Sequence, residues 1–222
     1  MLRRKIELCM TLLLLLGMII VSRKLSQLVT SENVQAGKDI VVIDAGHGGH
    51  DPGKVGANDA LEKDINLQIA QKVKKHLEKN GIQVIMTRED DVMEDTKLED
   101  MKKRVELINE IKPAITVSIH QNSYSDASVK GAQVFYYAGS EVSKGAASLM
   151  QEEMRKVDTE NTRQIKSNSD FYMLKKTEVP TIIVECGFLS NPGEAEKLTS
   201  EEYQEEMAQA ICSGIMTWLS GN

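Results

Sequence analysis

Five short runs rich in Val and Ile alternate with amphipathic stretches along most of this chain, and that alternation limits the folds open to it. The runs are 39–44, 82–87, 114–119, 131–137 and 180–185. Between the first two, Ile65, Ile69, Val73 and Leu77 recur every four residues, the period of a helix with one apolar face, and Asn80-Gly81 ends it as a C-terminal cap. Further helices are predicted over 98–112, ending before Pro113, and over 142–156 and 201–219. Strands that are apolar on both sides, separated by helices, imply a largely parallel sheet covered on both faces. The expected fold is therefore α/β, a single domain over residues 39–222.

The first 25 residues do not belong to that pattern. Five basic residues face only Glu7 there, and the segment from Leu8 to Val21 is mostly apolar. A basic cluster followed by an apolar run of that length reads as an export signal, and it is short for a membrane span, which takes about 17–25 residues. No clear small-x-small site follows, which leaves open both a cleaved signal peptide and a retained membrane anchor. Residues 26–38 are polar and read as a linker. The domain is thus expected outside the cytoplasmic membrane, in the cell envelope, with a possible tether through residues 1–25.

Net charge is −6, but the N-terminal segment contributes about +4, so the rest carries about −10. So acidic a body would repel a polyanion, and nucleic acid is excluded as a partner on that ground. Three cysteines, one of them inside the export segment, make no disulfide framework. Cys186 and Cys212 are expected to be reduced core residues.

In a parallel sheet, ligands bind beyond the carboxyl ends of the strands. The first strand ends at Asp44 and runs into the loop "AGHGGHDPG" with His47 and His50; the third is followed by His120; the fifth ends on Glu185; and Glu62 opens the first helix on the same edge. Two imidazoles and two carboxylates from separate parts of the chain fit a catalytic zinc with a two-His, one-Glu ligand set, the remaining carboxylate serving as general base. Spacing alone leaves His47 and His50 both open as the loop's ligand. A phosphate-binding reading of the loop fails because no Lys-Ser/Thr pair follows and Asp51 would repel the phosphate. Strand alternation turns Cys186 away from Glu185, which argues against a thiol nucleophile. His76 is expected at the surface.

The motifs "DAGHGGHDPGKVG", "LEKDINL", "VIMTRED", "SIHQN" and "VECGFLSNPGEAEKL", in that order, resemble the zinc-dependent N-acetylmuramoyl-L-alanine amidases of the amidase-3 family of peptidoglycan hydrolases. The resemblance runs from about residue 39 to the C-terminus. It departs at Ala45, where the family usually has Pro. It implies a twisted sheet flanked by helices, one zinc held by His47, Glu62 and His120, Glu185 as the catalytic glutamate, and peptidoglycan as substrate. Asn122 and Arg88 are candidates for substrate binding or loop support. Shorter details, such as "EDMKKRVELIN" and "NTRQIKSNSDFYMLKK", resemble the germination-specific branch, which acts in making muramic δ-lactam in the spore cortex. An accessory activator protein is a further possible partner. A zinc carboxypeptidase of wall peptides and a non-catalytic glycan-binding module are the rival readings. No extra helix is evident between His120 and Glu185, so no built-in inhibitory plug is expected.

Overall fold

The computed structural model describes residues 40–221. The export segment at 1–25 and the linker at 26–38 lie outside the described residues. In chain order the elements are β1 (Ile40–Ala45), α1 (Glu62–Lys79), β2 (Gln83–Met86), α2 (Lys97–Ile111), β3 (Ile115–Asn122), β4 (Gln133–Tyr137), α3 (Glu141–Val157), β5 (Lys166–Asn168), α4 (Tyr172–Lys176), β6 (Thr181–Phe188), α5 (Pro192–Thr199) and α6 (Glu201–Ser220). The strands form one sheet in the order β2-β1-β3-β6-β4-β5. No helix among the described residues is long and apolar enough to cross a membrane.

Strands β2, β1, β3 and β6 pair in parallel, as the alternating pattern requires, while β4 runs antiparallel to β6. The reversal has a simple cause. A parallel crossover needs a dozen or more residues and usually a helix, whereas residues 123–132 between β3 and β4 hold no helix. The chain turns back instead. β5 then pairs parallel to β4 and ends the sheet.

Alternation along each strand sorts the side chains into two cores. Val41, Ile43 and Ala45 of β1 pack with Ile65, Ile69, Val73 and Leu77 of α1 and with Met207, Ile211 and Ile215 of α6. Val42 points to the other face, against Val105 and Ile108 of α2 and Met173 of α4. Each fully buried aliphatic side chain contributes about 1.5–3 kcal/mol. Gly81, at φ 78°, ends α1 in the left-handed conformation that the Asn-Gly pair anticipates. The structure adds three elements the sequence did not announce, β5, α4 and α5, of three, five and eight residues. The two shortest have no room for a readable period.

Asp44 shares the α2 side of β1 with Val42, and it is 1% exposed. Arg104 of α2 meets it: Nη1 donates to Asp44 Oδ1 at 2.9 Å and Nε to Asp100 Oδ2 at 2.7 Å. Burial pushes the Asp44 carboxyl up, but Arg104 and the Ser118 and Thr87 hydroxyls outweigh it and hold it at about 2, against 3.8 unperturbed. A carboxyl lowered on folding stabilises at pH above its unfolded value, and that contribution is lost as pH falls from about 4 towards about 2. We therefore expect Arg104→Met, which strands a buried carboxylate, to lower unfolding stability by about 3–5 kcal/mol in a urea titration at pH 7. At pH 3 the difference from wild type should shrink, because the stranded group is then neutral.

Candidate metal centre

The carboxyl end of β1 leads into a loop with unusual backbone geometry. His47 has φ 63°, rare for a residue with a side chain, and Gly48 and Gly49 follow at 142° and 52°. Reciprocal bonds between Gly48 and Asp51, at 3.1 and 2.9 Å, close the loop. Two buried guanidiniums clamp its start. Arg88 donates from Nε to the Ala45 carbonyl (2.8 Å) and from Nη2 to that of Gly46 (3.1 Å). Arg104 donates to the carbonyls of Ala45 (2.6 Å) and His47 (2.7 Å). Three successive carbonyls are thereby fixed, which sustains a local conformation that costs of order 1–3 kcal/mol.

That conformation turns the His47 imidazole towards the N-terminus of α1 and the end of β3. Ligand atoms of His47, Glu62 and His120 lie within 4.8 Å of one another, an arrangement that could hold a metal ion. Glu62 Oε1 is 2.9 Å from His120 Nδ1 and 3.2 Å from His47 Nε2. Behind the carboxylate, Gln121 N–H donates to Oε1 (3.1 Å) and Lys54 N–H to Oε2 (2.8 Å). On the far side of His47, Nδ1 meets Asp51 Oδ2 at 2.8 Å, and Lys97 Nζ reaches Asp51 Oδ1 at 2.6 Å. A carboxylate on the second ring nitrogen is the usual partner of a metal-binding histidine, because it fixes the tautomer and aims the free nitrogen inward.

The electrostatics describe a place that attracts cations. Burial pushes the Glu62 carboxyl up, but His120 and His47 dominate and hold it far below the usual range. For His120, burial pushes the ring down and Glu62 more than reverses this, raising it to about 9. Two imidazole nitrogens and a carboxylate offer here the donor set that a borderline dication prefers.

Glu185 stands beside this group and outside it. The parallel β3–β6 register pairs His120 directly with Glu185, so both side chains leave the sheet on one face. Glu185 is 8% exposed, and its Oε2 is buried without a hydrogen-bond partner. Burial raises its carboxyl to about 7, with His120 opposing and Glu62 assisting. The four side chains line a cavity of about 340 Å³ whose walls include Lys54, Asn122, Met101, Phe171, Tyr172 and Met173.

Of the other sequence candidates, Asn122 lines the cavity, its Oδ1 accepting the Ser123 N–H at 2.8 Å. Arg88 does not line it; its guanidinium also bonds the carbonyls of Lys63 and Asp90. His50 is exposed and lies outside the ligand group. His76 pairs with Glu205 at 2.7 Å. Cys186 is fully buried in the apolar core, and burial pushes its thiol well up, away from nucleophilic use. Between His120 and Glu185 the chain does contain a short helix, α4, and residues around it wall the cavity.

Sequence reasoning passed over Asp51 as a partner of His47, although their spacing of four in a tight loop was visible. The glycines near the site also do more than turn the chain. Two of them leave room for the side chains of this group. A Cβ on Gly46 would lie 2.2 Å from His120 Cε1 and Nε2, and one on Gly53 would lie 2.6 Å from Glu62 Oε2 and 2.7 Å from His47 Cδ2.

Residues 41–217 match the family model described as amidase-3, N-acetylmuramoyl-L-alanine amidase. The chain is 37% identical over 190 residues to the germination-specific N-acetylmuramoyl-L-alanine amidase of Bacillus subtilis (strain 168), covering 82% of this chain and 80% of that one. Among solved structures, it is similar to the CwlD amidase from Clostridioides difficile in complex with the GerS lipoprotein, with a TM-score of 0.80, 39% identity, and coverage of 83% and 100%. It is likewise similar to the catalytic domain of CwlV, an N-acetylmuramoyl-L-alanine amidase from Bacillus (Paenibacillus) polymyxa var. colistinus, with a TM-score of 0.75, 33% identity, and coverage of 83% and 99%. The chain belongs to the amidase-3 family.

The geometry yields a test independent of turnover. Gly46→Ala should force the His120 ring aside and weaken divalent metal binding at least tenfold in competition with a chromophoric chelator. Asp51→Asn should weaken it about 10–100-fold. His50→Ala should change nothing, and equal losses in all three variants would point to general unfolding rather than to this ligand set.

Proposed function

We propose that this amidase-3 domain hydrolyses the amide joining the lactyl group of N-acetylmuramic acid to L-alanine of the stem peptide, with His47, Glu62 and His120 holding one zinc ion and Glu185 moving the proton. The observation that carries this reading is the unpartnered, buried Oε2 of Glu185 beside a converged set of two imidazoles and one carboxylate. Two His and one Glu recur as a catalytic zinc set, and they leave a coordination position open. When bound, zinc supplies Lewis acidity there, polarising the amide carbonyl and acidifying water.

The protein's own groups do the rest. Glu185 accepts a proton from the attacking water as its oxygen bonds to the carbonyl carbon. It returns that proton to the amide nitrogen as the C–N bond breaks, leaving a muramic carboxylate and the free amine of the peptide. Burial pushes the Glu185 carboxyl up, the direction that lets a carboxyl exchange protons closer to neutrality. Asp51 keeps the His47 tautomer, and the Arg88 and Arg104 clamps keep its backbone in place. The position of Asn122 on the cavity wall supports a substrate contact for it, and the bonds of Arg88 to loop carbonyls support a role behind the loop.

The biological setting we infer is the spore cortex, where removal of the stem peptide precedes cyclisation of muramic acid to its δ-lactam. Similarity to a germination-specific amidase supports it. The basic, apolar N-terminus supports export across the membrane, with residues 1–25 as signal or tether. A relative solved in complex with a lipoprotein supports an accessory protein partner for this chain as well.

Mass spectrometry of digested peptidoglycan should show free stem peptides with N-terminal alanine; release of C-terminal residues alone would favour a carboxypeptidase. Glu185→Gln should retain zinc and lose about 10²–10⁴-fold in turnover. Loss of the metal in that variant would instead make Glu185 a fourth ligand. Deleting the gene in a spore-former should leave a cortex without muramic δ-lactam and spores that fail to complete germination. Unchanged lactam with disturbed vegetative wall turnover would overturn the cortex role alone.

A further inference from the structure

The cations around the metal centre differ in what they are bound to. Lys63 is held by the Gly49 carbonyl and Asp91, at 2.8 and 2.6 Å. Lys97 pairs with Asp51, and Arg104 with Asp44 and Asp100. Arg88 is tied to backbone carbonyls. Lys54 is the exception. Its side chain is exposed and makes no ion pair or hydrogen bond among the described residues, and it is the one lysine or arginine that lines the cavity holding Glu185.

Its backbone, by contrast, is held firmly. Lys54 N–H donates to Glu62 Oε2 at 2.8 Å, and its carbonyl accepts the Glu62 N–H at 2.9 Å. The root of the side chain is therefore latched on both sides to Glu62, while the exposed side chain lines the cavity with no bond of its own among the described residues. Two of the other wall groups, Glu62 and Glu185, are carboxylates, and the body beyond the first 25 residues carries about −10. Such a body repels an acidic peptide unless a local cation meets it.

We propose that Lys54 is a specificity residue that binds a free carboxylate of the stem peptide, namely the α-carboxylate of the γ-linked glutamate that follows L-alanine. This rests on the amidase reading and deepens it, because a stem peptide seated with its first amide near Glu185 brings the next residue towards the cavity wall. A single exposed ammonium contributes modestly. The expected selectivity for carboxylate over carboxamide is accordingly about three- to tenfold.

The test uses the zinc-loaded protein and two matched muramoyl peptides, one with the α-carboxylate and one with the α-carboxamide at the residue after L-alanine. Calorimetric binding of the two corresponding free peptides supplies a readout that does not depend on turnover. Wild type should favour the carboxylate form about three- to tenfold in KM and in peptide Kd, and rising salt should erode the difference. Lys54→Met should remove the preference by weakening the carboxylate form alone, the loss falling on KM, and Lys54→Arg should restore it. Equal affinity of wild type for the two peptides, or equal weakening of both in Lys54→Met, would overturn the proposal and leave the amidase reading standing. Lys54-dependent carboxylate binding without cleavage of either fragment would overturn the amidase reading and not the assignment of Lys54.

Discussion

Much of this structure depends on the buried guanidinium of Arg104. It reaches from α2 to the end of β1, neutralises Asp44 in the interior, and in the same stroke accepts the duty of holding the His47 carbonyl. An unpaired charge at that depth would cost several kcal/mol, so the pair forms only when helix, strand and loop are all in register. Packing of α2 against the sheet and the orientation of the first imidazole are therefore one event. Arg88 repeats the device from β2's side, taking the carbonyls of Ala45 and Gly46. The strain of a left-handed His47 is sustained by two cations that could not be buried without those carbonyls.

The second constraint is strand register. In the parallel β3–β6 pair, His120 and Glu185 are direct neighbours, and Asp44 and Ser118 are neighbours one strand over. Alternation then sends all four to the same face, while Ile119, Val184 and Cys186 go to the opposite core. A slip of one residue would bury Glu185 among the apolar helices and expose Cys186. The same register that seals the hydrophobic core thus decides that the carboxyl ends of the strands carry the chemistry.

Periodicity made the four-stranded parallel core and the long helices legible, because Ile65, Ile69, Val73 and Leu77 leave one reading for α1. Topology at the edge was not legible: nothing in "GAQVFYY" states its direction, which follows from the helix-free connection before it. The convergence of His47, Glu62, His120 and Glu185 could be argued from strand ends, but choosing His47 over His50 took the family resemblance, since both sit in one loop and only backbone dihedrals separate them. The "SNPGE" run did carry a signal for α5, with Asn191 capping Glu194 N–H and Pro192 opening the helix. Asp51 and the spaces at Gly46 and Gly53 are three-dimensional facts. A glycine that makes room for another residue's ring looks in sequence like a glycine that turns a loop.

The charge state of the metal-free cluster connects these features. Burial pushes the His120 ring down, but Glu62 more than reverses this and raises it to about 9, so that ring and the Glu62 carboxylate satisfy each other. A metal bound by these groups would need that imidazole neutral, so its binding would release a proton. Glu185 does not join the exchange. Its Oε2 has no partner, and its carboxyl is raised by burial while Glu62 stays deeply ionised. Two glutamates beside the same imidazoles are thus driven in opposite directions, Glu62 by the two rings and Glu185 by its own burial. What surrounds each carboxylate thus sets its charge, one held ionised and the other pushed towards its neutral form.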